Sequence, residues 1–300
     1  MTPKNPATCF VAIVGKSNVG KSTLLNNLMG EKIAAVSNKP QTTRTRITGV
    51  LTKENVQYVF LDTPGIHRAR NRLGEEMNRM AVGALTDVNC TLLVVEPTDR
   101  VHPVEASLLE RFKKEQRPVV LIINKCDTIK KSAILPIIDM YAKHYDFDAL
   151  LPISAKTGEG MNMLFEELHS YEVESDWYFP SDMITDQPER VIVAETIREK
   201  LLKLLSEEVP HGIYVVIEEM KDIRGHLLDI RAEIFCERES HKHIIIGKDG
   251  SMLKQVGIYA REDLEAFFGI KVNLNLWVKV KEKWRDNSAL LNRLGLKNED

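Results

Sequence analysis

This chain of 300 residues has few cysteines, no long apolar run and almost no net charge. Its four cysteines form no C-x-x-C pair and no zinc-ligand spacing, which argues against a disulfide framework and predicts reduced thiols in a cytosolic protein. No apolar run reaches the roughly 20 residues of a membrane-spanning helix, and the first residues do not form a signal-peptide pattern. Because the formal net charge is only −2, a nucleic acid would have to bind a local basic patch.

The length suggests about two domains, and the sequence pattern changes once along the chain. Up to about residue 170, short apolar runs alternate with longer helical patterns. This alternation predicts an α/β domain with a mostly parallel sheet and helices on both faces. The predicted strands cover residues 10–14, 56–61, 91–95, 119–123 and 150–153, and the predicted helices cover residues 21–29, 70–85, 104–114, 133–144 and 161–171. Such sheets bind ligands at the carboxyl ends of their strands.

The first motif is a glycine-rich loop between a predicted strand and a predicted helix. It reads G-x-x-x-x-G-K-S and comprises Gly15, Lys16, Ser17, Asn18, Val19, Gly20, Lys21 and Ser22, with Thr23 directly after it. The glycines let successive backbone N–H groups surround a phosphate, and the helix N-terminus adds to the attraction. Lys21 is expected to reach the outer phosphates, and the Ser22 hydroxyl is expected to bind Mg²⁺. The loop therefore predicts a nucleotide phosphate site.

The second motif, Asp62-Thr63-Pro64-Gly65, ends the next predicted strand. A carboxylate at Asp62 can hold Mg²⁺ directly or through a water molecule. The Gly65 N–H can bond a terminal phosphate and detect its loss. Taken alone, these residues would equally suit an ordinary turn after a strand. Their position after a phosphate-binding loop favours the nucleotide site.

The last two motifs of this half are Asn124-Lys125-Cys126-Asp127 and Ser154-Ala155-Lys156, each directly after a predicted strand. The Asp127 carboxylate can accept two hydrogen bonds, from the N1–H and the amino group of guanine. Adenine lacks this pair of donors, and a buried polar mismatch discriminates strongly. A backbone N–H near Ser154 can contact the guanine carbonyl. The sequence therefore predicts a guanine nucleotide, although each motif alone would also fit a turn.

These motifs, in this order, resemble the GTPase superfamily of P-loop proteins over residues 8–171. The resemblance implies that GTP and GDP bind with Mg²⁺, that Ile66 after Gly65 also contacts the nucleotide, and that a mobile switch segment follows the first motif. That segment contains Gln41, Thr42, Thr43 and Arg44. Thr43 is expected to complete the Mg²⁺ ligands beside Ser22 and Asp62, while Thr42 as the ligand, or a plain polar loop, remains an alternative. Arg44 and Arg46 are interpreted as solvated side chains.

Two positions bear on hydrolysis. Ras-type GTPases place a glutamine directly after the motif glycine to orient the attacking water. Here that residue is Ile66, so we expect slow intrinsic hydrolysis without a side-chain base, assisted by Lys21, Thr43 and Gly65. The family resemblance suggests that Asn18 helps to bind potassium, which would add positive charge near the transition state. A purely structural Asn18 is the open alternative.

The second half of the chain has a different pattern. Residues 174–188 are acidic, then aromatic, then interrupted by proline, and predict a linker between a GTPase domain at 1–173 and a second domain. The order that follows is a helix at 189–208, strands at 213–217 and 227–237, an apolar turn at 244–246, a helix at 251–267 and a strand at 270–280. This order resembles a type II KH domain over residues 189–281, a smaller α+β unit that binds single-stranded RNA. Residues 282–300 form a tail with a predicted short helix.

A G-x-x-G loop lies between the apolar turn at 244–246 and the helix at 251–267. In such domains the loop backbone approaches RNA phosphates, although a G-x-x-G pair alone also suits an ordinary helix joint. Residues 240–285 carry nine Lys/Arg and five Asp/Glu, a local balance of +4. The predicted RNA-binding residues are Ile246, Gly247, Lys248, Asp249, Gly250 and Lys254, with Asp249 opposing the phosphates. Trp277 lies on the polar face of the last strand and can stack on a base or pack at a rim, whereas core or rim packing is expected for Trp284 and Tyr259.

A GTPase domain followed by a type II KH domain resembles the Era family of bacterial ribosome-assembly GTPases over nearly the whole chain. The resemblance implies a GTP-controlled switch that binds the 3′ region of 16S ribosomal RNA and assists maturation of the small ribosomal subunit. It also implies a cytoplasmic monomer that can touch the inner face of the plasma membrane. A GTP-dependent partner in RNA modification, or an RNA-binding module with a merely structural nucleotide, are the alternatives.

Overall fold

The computed structural model describes residues 5–69, 71–206 and 209–296. The first part is a mostly parallel sheet with helices on both faces, and the second is a smaller three-stranded sheet with helices. The predicted fold class is confirmed. The predicted helix at 70–85 begins at Arg72, because the Asn71 side chain accepts a hydrogen bond from the Gly74 N–H and caps it. Residues 70, 207–208 and 297–300, which belong to predicted helices, lie outside the described residues.

The large sheet has the strand order β2-β3-β1-β4-β5-β6, and β7 pairs antiparallel with β1. Its strands are β1 (Ala7–Val14), β2 (Ile47–Lys53), β3 (Val56–Asp62), β4 (Cys90–Val95), β5 (Val119–Ile123), β6 (Ala149–Pro152) and β7 (Val173–Glu174). The helices are α1 (Lys21–Met29), α2 (Arg72–Gly83), α3 (Pro103–Glu115), α4 (Ile134–Ala142) and α5 (Met161–Leu168). Strands β4 and β5 are buried along their whole length, as expected for strands covered on both faces.

Strand β2 was not predicted. It pairs antiparallel with β3 through a tight turn in which Glu54 has a φ of 56°. Its free edge is covered by the segment at 174–188: Val50 N–H donates to the Ile184 carbonyl (2.9 Å), and the Thr185 hydroxyl donates to the Thr48 carbonyl (2.7 Å). An unpaired strand edge would otherwise expose a row of backbone donors and acceptors. The segment between the two sheets therefore follows a fixed path across β2.

The smaller sheet has the order β10-β9-β8, with β8 antiparallel and β10 parallel to β9. Its elements are α6 (Glu189–Leu204), β8 (Tyr214–Ile223), β9 (Leu227–Cys236), α7 (Glu239–Ile246), α8 (Ser251–Phe268) and β10 (Lys271–Val280), followed by α9 (Ser288–Arg293). Strand β8 is longer than the prediction of 213–217, because its polar second half still pairs with β9. The order of elements is that of the predicted type II KH unit.

An apolar cluster joins the two parts of the chain. Met77 and its neighbours on α2 pack against Tyr214 of β8 and against Trp284 and Leu291 of the tail. Trp284 is completely buried, and its indole N–H donates to the Gly212 carbonyl at 2.9 Å. Packing was predicted for Trp284 and is confirmed, whereas Tyr259 is 41% exposed and therefore not a core residue. Trp277 is 49% exposed, as the alternation along β10 predicted.

The four cysteines are free thiols. Burial raises the pKa of Cys9 to about 12, and the Glu172 carboxylate adds to this effect. None of the described helices has the length and the apolar character that a membrane span requires.

Candidate functional site

The phosphate-binding loop lies between β1 and α1. Gly15 and Gly20 have φ values of 148° and 98°, and a Cβ at Gly15 would lie 2.3 Å from the Val94 carbonyl oxygen. Only glycine fits such a backbone. The Lys21 ammonium is buried beneath the loop and donates to the carbonyls of Gly15 (3.2 Å) and Lys16 (3.0 Å). Burial lowers the pKa of Lys21 to about 8, and the Asp62 carboxylate opposes the shift.

Two hydroxyls and a carboxylate meet next to this loop. The Ser22 hydroxyl donates to Asp62 Oδ2 at 2.6 Å and lies 2.7 Å from the Thr43 hydroxyl. In the described part of the chain, the buried Asp62 Oδ1 has no hydrogen-bond partner. Burial raises the pKa of Asp62 to about 6, and Lys21 and the Ser22 hydroxyl oppose the shift. Oxygen ligands of this kind, one of them an unpaired buried carboxylate oxygen, fit Mg²⁺.

The geometry also separates Thr43 from Thr42. The Thr42 hydroxyl donates to the Lys39 carbonyl (2.6 Å) and lies 2.8 Å from the Ser37 hydroxyl, so it is used within its own loop. Thr43, not Thr42, is the residue beside Ser22. Thr63 turns inward and donates to the Ile13 carbonyl at 2.9 Å, and Pro64 is buried behind it. The structure thus brings together the ends of β1 and β3 and the switch segment.

Asn124 connects the base-side motifs to the phosphate-binding loop. Its amide N–H donates to the Val19 carbonyl (2.7 Å), and its amide oxygen accepts from Ala155 N–H (2.9 Å). Asp127 Oδ1 accepts from the Ser154 hydroxyl at 2.8 Å, which holds this carboxylate in a fixed orientation. Lys156 follows as an exposed residue. The side chains predicted to read the base therefore form one hydrogen-bonded unit.

Glu96, which the sequence reasoning missed, supports this unit. Its carboxylate pairs with Lys125 (2.5 Å) and Lys16 (3.3 Å), and the Lys125 ammonium also donates to the Asn18 carbonyl (2.7 Å). Burial alone would raise the pKa of Glu96, but the bonds from the two lysines outweigh it and lower the pKa. Its place directly after β4 was the available signal.

A cavity of about 110 Å³ lies beside the phosphate-binding loop. It is lined by residues of that loop, Thr23, residues 35–38, Gln41, Thr42, Thr43, Gly65 and Lys125. A Cβ at Gly65 would lie 2.5 Å from the Ser17 Cα, so the two loops are in direct backbone contact. Among the described residues, no group of three or more His, Cys, Asp or Glu side chains forms a separate metal site. A metal at Ser22 would thus share its ligands between the chain and a phosphate.

Arg44 was predicted to be solvated, and this prediction is wrong. It is only 3% exposed and donates to the carbonyls of Ile213 (2.5 Å) and His211 (3.0 Å). Its guanidinium also lies 5.4 Å from the centre of the Trp284 ring. These groups replace water around the charge, although burial still lowers its pKa to about 9 and the charge of Arg198 adds to the lowering. Arg46 is exposed, as predicted.

Helix α6 of the smaller unit also contacts the switch segment. Arg198 is 2% exposed, pairs with Glu195 and donates to the Thr42 carbonyl. Glu199 is buried and accepts hydrogen bonds from Val36 N–H (2.9 Å) and from the Lys32 ammonium (2.8 Å). Thr43 therefore lies between two residues, Thr42 and Arg44, that both contact the smaller unit.

The G-x-x-G loop joins α7 to α8. Gly247 has a φ of 73°, and a Cβ there would lie 2.7 Å from the Met252 Cβ. Asp249 also has a positive φ of 52° and is exposed, as is Lys248. A groove of about 390 Å³ begins at this loop and is lined by one face of α8, which includes Lys254, and by residues 273–276 of β10. Ile246 is partly buried at the end of α7.

Comparison with known proteins agrees with this geometry. A family model described as a 50S ribosome-binding GTPase matches residues 10–125, and one described as a KH domain matches residues 208–285. GTPase Era of Caldanaerobacter subterraneus subsp. tengcongensis is 48% identical over 287 residues, which cover 95% of this chain and 96% of the relative. The chain belongs to the Era family of GTPases. GTPase Era of Clostridioides difficile is also 48% identical, with 95% of this chain and 97% of the relative covered.

Solved Era structures share the whole architecture. An Era in complex with MgGDPNP and nucleotides 1506–1542 of 16S ribosomal RNA has a TM-score of 0.93 and 40% identity, covering 98% of this chain and 100% of that chain. A variant of Aquifex aeolicus Era bound to GDP·AlF4⁻ also has a TM-score of 0.93 and 40% identity, with 97% and 100% covered. The predicted family and the predicted GTPase activity are confirmed.

One feature separates this Era-family GTPase from the Ras-type arrangement. Ile66 is held by a hydrogen bond from its N–H to the Gly15 carbonyl at 3.2 Å, and its side chain packs beside an apolar cluster of the sheet. An apolar side chain at this position leaves the attacking water without the usual amide. Any side chain that orients the attacking water must therefore come from another position in the chain.

Proposed function

We propose that this Era-family GTPase is a nucleotide-controlled switch that binds the 3′ region of 16S ribosomal RNA through its KH unit and assists assembly of the small ribosomal subunit. The observation that carries the proposal is the contact of the switch segment with the KH unit. Arg198 holds the Thr42 carbonyl and Arg44 enters the KH unit, so Thr43 cannot move without affecting both contacts. A change at the outer phosphate can thereby change how the KH unit is held.

We assign the nucleotide to the four motifs of the GTPase domain. The residues proposed to bind GTP are 15–23, 62–66, Asn124, Lys125, Asp127 and 154–156, and residues 41–44 form the switch. Ser22, Thr43 and Asp62 would hold Mg²⁺, which when bound neutralises charge on the phosphates. Lys21 would add a fixed positive charge, and the Gly65 N–H would donate to the terminal phosphate.

We divide the chain into a GTPase domain at 1–173, a linker at 174–188, a KH domain at 189–281 and a tail at 282–300. The pairing of β7 with β1 supports a first boundary near residue 173, because Val173 and Glu174 are the last residues that pair with β1 in the large sheet. The end of β10 at Val280 supports the boundary between the KH domain and the tail. Trp284 and Leu291 of the tail pack against α2, so the tail would help to hold the two domains together.

The proposed RNA-binding residues are Ile246, Gly247, Lys248, Asp249, Gly250 and Lys254, around the groove between α8 and β10. Glycines with positive φ let the loop backbone approach phosphates, and the groove accepts about four nucleotides in such domains. The assignment to 16S RNA rests on the solved Era complex, which contains nucleotides 1506–1542 of that RNA. One matching family model is described as a 50S ribosome-binding GTPase. The experiment must therefore distinguish 16S RNA from 23S RNA.

The deciding experiment is to sequence RNA crosslinked to the protein in the presence of a non-hydrolysable GTP analogue and of GDP. We expect reads from the 3′ end of 16S RNA, enriched with the analogue. Recovery of 23S RNA or transfer RNA, or equal recovery with both nucleotides, would overturn the proposal. Transfer RNA would favour the alternative of a partner in RNA modification. Single-turnover hydrolysis that survives Lys21→Ala would count against the proposed phosphate site.

Removing two exposed lysines of the KH unit is expected to weaken RNA binding. For Lys248→Ala/Lys254→Ala we expect about tenfold lower affinity for RNA. The slope of log K against the logarithm of salt concentration should also become shallower, by the amount that about two phosphate contacts contribute. Fluorescence anisotropy at several salt concentrations measures both. The matched control is Lys114→Ala/Lys143→Ala, which removes two exposed lysines of the GTPase domain. Equal RNA affinity in the two double variants would contradict the assigned groove, and basal GTP hydrolysis should stay unchanged in both.

We propose potassium as a second cation, held with the help of Asn18. The Asn18 amide N–H donates to the Asn38 carbonyl at 2.8 Å, which leaves the amide oxygen to face a cation. Asn18 also has a φ of 68°, an uncommon backbone conformation at a site close to the phosphates. Turnover should be faster in potassium chloride than in sodium chloride at equal ionic strength. Equal turnover would leave Asn18 with a structural role alone.

The remaining proposals rest on the family resemblance. We propose a cytoplasmic monomer that contacts the inner face of the plasma membrane peripherally. Sedimentation equilibrium would test the monomer, and co-flotation with anionic lipid vesicles would test the membrane contact. A stable dimer, or no lipid association at physiological salt, would contradict the respective proposal.

A further inference from the structure

The reaction needs a group that orients the attacking water, and Ile66 cannot supply it. An amide from another segment does line the nucleotide cavity. Gln41 of the switch segment lines the nucleotide cavity together with Ser17, Thr43 and Gly65. An amide oxygen at this place has the chemistry that Ras-type enzymes use, but it comes from a different segment of the chain.

The orientation of the Gln41 amide follows from its partner, His67. The His67 Nδ1 lies 2.9 Å from the Gly65 carbonyl oxygen, which can only accept, so Nδ1 carries the hydrogen. The other ring nitrogen, Nε2, is then an acceptor in the neutral ring. It lies 3.0 Å from the Gln41 side-chain nitrogen, which donates to it. This bond uses the nitrogen end of the amide and leaves Gln41 Oε1 as an acceptor.

His67 is itself held firmly. The Asn78 side chain of α2 donates to the His67 carbonyl (2.7 Å) and accepts from the His67 N–H (3.2 Å). A Cβ at Gly74 would lie 3.1 Å from His67 Nε2, a tight contact, so the ring packs closely against α2 at this glycine. The ring is thus fixed by α2 and by the carbonyl of Gly65, whose own N–H is proposed to face the terminal phosphate.

The backbone of Gln41 has a φ of 62°, which a residue of this type rarely adopts. Such a conformation persists where the surrounding structure fixes it. Gln41 stands two residues before Thr43, so the same ordering of the switch segment that places Thr43 beside Ser22 also places this amide.

We propose that Gln41 is a catalytic residue of this GTPase, whose Oε1 accepts a hydrogen bond from the attacking water, and that His67 is a positioning residue acting through it. The water oxygen forms a bond to the γ-phosphorus while the bond from that phosphorus to the β–γ bridging oxygen breaks. The bridging oxygen leaves with GDP, and the proton lost by the water ends on the phosphate product. Gln41 stays neutral throughout and orients the water without taking its proton.

Single-turnover GTP hydrolysis tests the role of Gln41. For Gln41→Ala and Gln41→Gly we expect hydrolysis about 100-fold slower, with the dissociation constants for GTP and GDP changed less than about threefold. The glycine variant relieves backbone strain, so it separates loss of the amide from strain. The control is Gln116→Ala, an exposed glutamine of the same domain with a φ of 49° and no place in the cavity. Wild-type rates in both Gln41 variants, or losses confined to GTP affinity, would overturn the proposal.

Two further measurements test the role of His67. His67→Phe keeps a flat ring but removes the acceptor nitrogen, and we expect hydrolysis about tenfold slower with GTP affinity preserved. Combined with Gln41→Ala, it should slow the reaction no further, because both changes remove the same interaction. Aluminium fluoride should increase GDP affinity in the wild type and much less in either variant. Fully additive rate effects, or an unchanged aluminium fluoride response, would refute the positioning role.

Discussion

Replacing Asp127 by asparagine is expected to change the preferred substrate from guanosine to xanthosine triphosphate. The carboxylate can accept from both the N1–H and the amino group of guanine, whereas an asparagine amide offers one acceptor and one donor. Xanthine carries a carbonyl in place of the amino group and therefore matches the amide. Because a site built to hydrogen-bond a substrate group rejects an analogue that lacks it by a factor of about 10⁴, we expect kcat/KM for GTP to fall more than about 1,000-fold. The value for xanthosine triphosphate should rise to a comparable extent.

Steady-state hydrolysis of both nucleotides measures this exchange. The Ser154 hydroxyl can still donate to the remaining side-chain oxygen, so the local structure should persist. Asp139→Asn on the exposed side of α4 is the matched control and should leave the preference for GTP unchanged. A variant that loses GTP without gaining xanthosine triphosphate would argue that Asp127 supports the loop and does not read the base.

Gly65→Ala is expected to abolish most hydrolysis while leaving GDP binding largely intact. The new Cβ would lie 2.5 Å from the Ser17 Cα and 2.7 Å from the Ser17 N, inside the contact distance of backbone atoms. The loop after β3 must therefore move away from the phosphate-binding loop. This removes the Gly65 N–H from the outer phosphate and displaces the carbonyl that orients His67. We expect single-turnover hydrolysis to be more than about 100-fold slower.

Stopped reactions with labelled GTP give the rate, and a fluorescent GDP analogue gives the affinity. The double variant Ser17→Gly/Gly65→Ala is the informative control. It removes the Ser17 hydroxyl but keeps the backbone that the Cβ meets, so it should not recover activity. Recovery would show that the obstruction lies in a side chain and would contradict the close backbone contact as the cause.

The parts of the site that the sequence predicted are those set by short motifs. Asn124 shows why this works: it follows one strand, bonds the loop after another at Val19, and accepts from Ala155 after a third. Parallel strands bring their carboxyl ends to one edge of the sheet, so residues that follow them must meet. The motif spacing then identifies which residues these are.

The parts that the sequence did not predict depend on contacts between distant segments. Arg44 belongs to a polar stretch, which favours a solvated side chain. In the structure it is instead buried against Trp284 and donates to the Ile213 carbonyl. Arg198 and Glu199 lie in a helix with many charges, and nothing in its periodicity indicates which charges face another domain. Their burial follows from how the two units pack, which local patterns do not encode.

The apolar cluster between α2 and the tail has a consequence for how the molecule is made. The chain is synthesised from its amino end, and its domains begin to fold in that order. The Met77 face of α2 is complete early, but Trp284 and Leu291, which cover it, follow much later in the chain. Until then the nascent GTPase domain exposes an apolar surface near its own switch loops. Protection of that surface during translation, by a chaperone or by the ribosome itself, would therefore keep the nascent domain from aggregating.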